Sequence, residues 1–184
     1  MDKHLKLGYT NLWFEFGLLT EQELVEQVAI FEKSDDKNTE HYRYRTFRRY
    51  LTTRKVLTDK ELENYLKVAS AEKDEPMASS AIVDILREIE LTDLQFNKVC
   101  LEIAGLELGT SAQKIITRQV LLRKLNTNKL TDELFTESLI NGDRVVHEYL
   151  LNLSDPKQLK QIAEYGATKA IKNIATEKIN NIER

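Results

Sequence analysis

A three-residue phrase, Leu followed by Thr or Ser and then an acid, returns five times along the 184 residues of the chain. It reads Leu19-Thr20-Glu21, Leu57-Thr58-Asp59, Leu91-Thr92-Asp93, Leu130-Thr131-Asp132 and Leu153-Ser154-Asp155, with intervals of 38, 34, 39 and 23 residues. A hydroxyl in the middle position accepts a hydrogen bond from an orphan N–H of a first helical turn, so each phrase predicts a helix start. Glu23, Glu61 and Gln95 supply the reciprocal half of a capping box, whereas Leu134 and Lys157 hold that place in the last two phrases. In four cases the Leu before the cap has an apolar partner one turn into the helix, namely Leu24, Leu62, Phe96 and Phe135.

Behind each start run about ten residues with apolar spacing of helical period, then a polar break, then a second helix. The breaks read EKSDDKNTE, SAEKDEPMASS, GLELGTS, NGD and YGA. Pro76 and Pro156 stand where a first helical turn tolerates a missing N–H. The expected architecture is all-α: five antiparallel helix pairs in units 19–56, 57–90, 91–129, 130–152 and 153–182 of a single domain 1–184. A short capping helix in NLWFEFG, closed by Gly17, precedes them. The last interval is short, so either the fourth unit is trimmed or its boundary is displaced. Six Gly and two Pro are too few for a meander of strands, which needs a turn residue at every reversal.

Two-helix units at this period bury their apolar faces only by stacking, which predicts a right-handed α-solenoid. The pattern resembles the HEAT-like and armadillo-like repeat superfamily over residues 19 to about 182. The segment GDRVVHEYLL, Gly142 to Leu151, approaches the Asp and Val-Arg pattern of a HEAT second helix, with Arg144 before Val145 instead of after it. Tetratricopeptide repeats fit less well because their regular Trp, Gly, Tyr and Ala positions are missing. An irregular helical bundle is the alternative fold.

The residues offer little chemistry. His4, His41 and His147 lie far apart, none with a second His or a Cys at ligand spacing, and no phosphate loop, nucleophile elbow or His-Glu-x-x-His is present. Asp84 and Glu88 share a helix face, but with Arg87 beside them they read as a solvated surface. The lone Cys100 sits in an apolar run and reads as a buried thiol. The expectation is a protein without enzymatic activity, cofactor or metal. No apolar stretch is long enough for a membrane span and no signal peptide is evident, so the expected location is the cytoplasm.

One stretch stands out against a net charge of −3. HYRYRTFRRYLTTRK, residues 41–55, holds six basic residues and no acid, leaving −9 for the remainder. On a helical wheel Tyr44, Phe47 and Leu51 face the core, with Tyr50 at its edge, and Arg43, Arg48 and Arg54 flank it. Tyr42, Arg45 and Arg49 form the exposed set. With Arg48 they are the candidate partner-binding residues, joined at the N-terminal end by Trp13 and Phe16 from the cluster Tyr9, Trp13, Phe14 and Phe16. The alternatives are that the helix is neutralised by nearby acids, such as those in EKSDDKNTE, and that Trp13 covers the first repeat. A second acid-free tract, Leu108 to Thr131, carries Lys114, Arg118, Arg123, Lys124 and Lys129 among apolar residues spread round the helix.

The function expected first is a protein-binding module of the kind found among bacterial immunity and inhibitor proteins. Nucleic-acid binding is second, through resemblance to HEAT-like DNA glycosylases that use a basic concave groove, although the acidic remainder opposes it. A client-holding, chaperone-like helper is third.

Overall fold

The computed structural model describes the backbone of residues 6–104 and 109–182. Eleven helices and no strand lie among these residues. They are α1 (Asn11–Glu15), α2 (Glu21–Lys33), α3 (Thr39–Thr52), α4 (Asp59–Ser70), α5 (Glu75–Glu88), α6 (Asp93–Ala104), α7 (Thr110–Thr127), α8 (Asp132–Asn141), α9 (Arg144–Leu153), α10 (Pro156–Tyr165) and α11 (Lys169–Ile182). His4 and residues 105–108, including most of the GLELGTS break, lie outside the described residues. The chain divides into two compact units, Met1–Ala112 and Gln113–Arg184, and the division falls near the start of α7.

The repeated phrase caps helices as its chemistry requires. Thr20 and Thr58 form complete capping boxes with Glu23 and Glu61. Thr92 does so with Gln95 through bonds of 3.1 and 3.3 Å. Thr131 accepts from the Leu134 N–H, with no reciprocal bond. The fifth start is one residue later than the phrase suggests: Asp155, not Ser154, caps α10 and forms a capping box with Gln158. Pro156 explains the shift, since its ring forces the preceding residue into extended backbone and suits the first helical position.

In the first unit, α4 packs on α5, α5 on α3 and on α6, and α4 on α6. First helices therefore touch first helices and second touch second. The core is aromatic: Trp13 lies 4.3 Å from Phe47, Phe47 5.1 Å from Tyr65, and Tyr65 5.7 Å from Tyr50, centroid to centroid. Buried aromatic rings of this kind contribute strongly to core stability, through the area they remove from water and their edge contacts. The Tyr65 hydroxyl, fully enclosed, donates to the Ala81 carbonyl at 3.1 Å.

In the second unit, α8 packs on α9 and α10, and α9 and α10 both pack on α11. Leu121 and Leu125 of α7, Phe135, Val146, Leu150, Leu159, Ile162, Ile171 and Ala175 form its core. The short 23-residue interval holds a pair of short helices, with ten residues in each of α8 and α9. Its neighbour turns tightly at Gly166, where a Cβ would meet the Ile162 carbonyl at 2.6 Å and the Ile171 side chain at 2.8 Å.

Candidate functional site

Helix α3 carries the basic stretch, and its orientation differs from the wheel reading. The buried face is Tyr42, Arg43, Thr46, Phe47, Tyr50 and Leu51, while Tyr44 is half-buried at the edge. Phe47 and Leu51 are core, as expected, and Tyr50, expected at the core's edge, is buried with them. Tyr42, expected outside, is only 2% exposed, so it leaves the candidate surface. The exposed residues are His41, Arg45, Arg49 and Thr52, with Arg48 half-buried beside them, so Arg45 and Arg49 lie outside as expected.

Two polar residues turn the helix this way. Arg43 is enclosed and donates from Nε and Nη2 to the Glu72 carboxylate at 2.9 and 3.3 Å, and from Nη1 to the Leu7 carbonyl at 2.8 Å. Gly8 lies against that guanidinium at φ +74, where a Cβ would sit 2.6 Å from Nη1. A side chain would meet both backbone strain and a clash there. Thr46 is buried with the Tyr9 hydroxyl 2.7 Å away and accepts from Gln27 Nε2 at 3.0 Å. Burial pushes the Tyr9 phenol up to about 12.

The other arginines of the stretch are also paired. Arg45 lies 3.5 Å from Asp36 and over the Tyr42 ring. The Asp36 carboxylate also meets His41 at 3.0 Å and accepts the Asn38 N–H, and these bonds hold it below its ordinary range. Arg49 pairs with Glu23 and donates to the Leu18 carbonyl at 2.8 Å. Arg54 stacks on Tyr50 at 3.8 Å and reaches Glu61 at 3.9 Å. The local positive charge is thus matched by acids from four other segments of the first unit.

Arg48 leads to the group the sequence read differently. Asp84 of α5 is not on a solvated face; it is fully enclosed. Its Oδ2 accepts from the Tyr44 hydroxyl at 2.7 Å and its Oδ1 from Arg87 Nη1 at 2.7 Å, with Arg48 Nη1 at 3.6 Å. Arg48 also reaches Glu88 at 3.2 Å. Burial, then the bond to Asp84, raises the Tyr44 phenol, and Asp84 raises the Arg48 guanidinium. The buried carboxylate thus accepts a hydrogen bond from Arg87 and ion-pairs with Arg48 where α3 meets α5. Arg48 and Arg87 remain 39% and 42% exposed. Arg87 and Tyr44 were missed as site residues; the i, i+3 spacing of Asp84 and Arg87 was the one available signal.

At the N-terminal end, Trp13 is a core residue, 2% exposed and against Phe47 and Tyr9. It closes the first unit's core and leaves the candidate surface with Tyr42. Phe16 stays half-buried at the edge, with Lys67 Nζ 5.9 Å from its ring centroid.

In the second unit two bases of the other tract are paired with acids at half-exposed positions. Arg118 Nε donates to Asp143 at 2.6 Å and Lys124 to Glu137 at 2.7 Å. Among the described residues, no group of three or more His, Cys, Asp or Glu could hold a metal ion, and no helix is long and apolar enough to cross a membrane. Comparison of the chain with protein-family models, curated proteins and solved structures finds no match.

Proposed function

We propose that the chain is a helical-repeat module that binds another protein, without catalysis of its own, on the face that α3 and α5 share. The observation that carries this reading is the enclosed Asp84 carboxylate, which holds Tyr44, Arg48 and Arg87 in place at a surface. Arg and Tyr dominate interface hot spots, and side chains already fixed lose little entropy when a partner docks. Arg45 and Thr52 extend the face along α3. The first-on-first and second-on-second contacts within each unit are those of stacked helix pairs, and in a right-handed HEAT-like arrangement second helices such as α3 and α5 would line the concave surface. An immunity- or inhibitor-type protein that captures a single partner fits this description best. A client-holding helper would use the same face and differ in capturing many proteins. Nucleic-acid binding has less in its favour, because phosphate neutralisation needs cations without acid partners and Arg43, Arg45, Arg48, Arg49 and Arg54 each have one.

The test is affinity capture by wild type and by Arg48→Glu/Arg87→Glu, with nuclease present. One protein recovered by wild type and lost from the variant supports the reading; equal recovery by both removes this face from it.

A further inference from the structure

His147 lies in α9 and is 1% exposed. Both ring nitrogens are engaged by backbone from neighbouring elements. Nδ1 accepts from the Ala167 N–H in the α10–α11 turn at 2.9 Å, so Nε2 carries the proton and faces the Leu139 carbonyl of α8 at 3.2 Å. The ring therefore ties the end of α8 to the turn of the next hairpin, across the core formed by Val146, Leu150, Ile162 and Ile171.

We propose that His147 is a proton-sensitive latch that holds the α10–α11 hairpin against α8 and α9 and loosens it when the ring is protonated. A second proton on Nδ1 would set donor against donor at Ala167 and place a charge in the core. The charged groups on the surrounding elements do not offset this. Asp143, at the start of α9, is the charge that acts on the ring, and it is held by Arg118 of α7. Glu137 of α8 is bound to Lys124, and Lys172 of α11 donates to the Glu164 carbonyl of α10. Desolvation outweighs the Asp143 charge and the carbonyl bonds, and it keeps the ring neutral below the ordinary histidine range. A folded-state value that is depressed means that the contribution to stability is full above the unfolded value and is lost as pH falls below it.

The test is amide hydrogen exchange on the full chain between pH 7.5 and 5, corrected for intrinsic rates, for wild type and His147→Gln. With an unfolded value of about 6.5, protection in residues 156–182 should fall in wild type as pH drops from 7.5 to 5, by at most about thirty-fold. Protection in α4 and α5 should change little, because they belong to the other compact unit. His147→Gln, which cannot titrate, should show the same hairpin protection across the window, whatever its level. Flat protection in wild type, or an equal fall in both proteins, overturns the latch. If the variant does not fold, the ring proton shift of His147 decides: a midpoint below the ordinary value supports the proposal, and one at or above it contradicts it.

Discussion

The side-chain amide of Gln95 donates to the backbone carbonyl of Leu57 at 2.9 Å and to the Asp59 carboxylate at 2.8 Å. Gln95 is the capping-box residue of the third phrase, and Leu57 and Asp59 are the first and last residues of the second. The capping-box residue of one helix start thus bonds the phrase that starts the helix pair before it. The Glu90 N–H adds a parallel link to the Lys55 carbonyl at 2.8 Å.

Gln95→Ala is therefore expected to cost about 1–2 kcal/mol, because it leaves a buried carbonyl without its donor. Gln95→Glu should cost more, since a second carboxylate would then face Leu57 O and Asp59. Leu94→Ala, next to it but 82% exposed, should stay within about 0.5 kcal/mol of wild type. Urea unfolding of the three variants checks the order.

The Arg43–Glu72 pair, 9% and 6% exposed, predicts an asymmetry between single and double variants. Arg43→Met or Glu72→Leu alone should destabilise by about 3–5 kcal/mol, because one charge or its donors would remain buried without the other. Arg43→Met/Glu72→Leu should recover a substantial part of that loss. A double-mutant cycle on unfolding free energies measures it.

The start of most helices was legible in sequence, and the rotation of α3 was not. A cap depends on residues three apart, such as Thr58 and Glu61, so the signal is local. The facing of α3 depends on Arg43 and Thr46, whose partners Glu72, Leu7, Tyr9 and Gln27 lie 19 to 37 residues away. A wheel treats Arg and Thr as solvent-seeking, so it placed Tyr42 outside and Tyr44 inside. Asp84 escaped for the same reason, since Tyr44 lies 40 residues before it.

Burial raises the Tyr9 phenol to about 12 and the Tyr65 phenol well above its ordinary value. A raised folded-state value stabilises fully below the unfolded value, near 10, and the contribution is lost as pH climbs beyond it. Stability should therefore drop above about pH 10, and less steeply in Tyr9→Phe. Absorbance titration of tyrosinate should show these two rings ionising only as the protein unfolds, whereas the exposed Tyr165 ionises in the folded state.

Gly166→Ala should destabilise the second unit by about 1–3 kcal/mol, because the added methyl meets the Ile162 carbonyl and the Ile171 side chain. The loss should be concentrated in α10 and α11. Hydrogen exchange resolved by peptide separates that outcome from a uniform loss across both units.

The account rests on the outward face of α3 and α5 being a docking surface. A photo-reactive phenylalanine analogue in place of Thr52, exposed on that face, tests this in cells, with Asn173 on α11 as the reference position. One discrete protein adduct from position 52, missing from position 173, is the predicted result. No adduct from position 52, the same adducts from both positions, or an adduct that nuclease removes would contradict it.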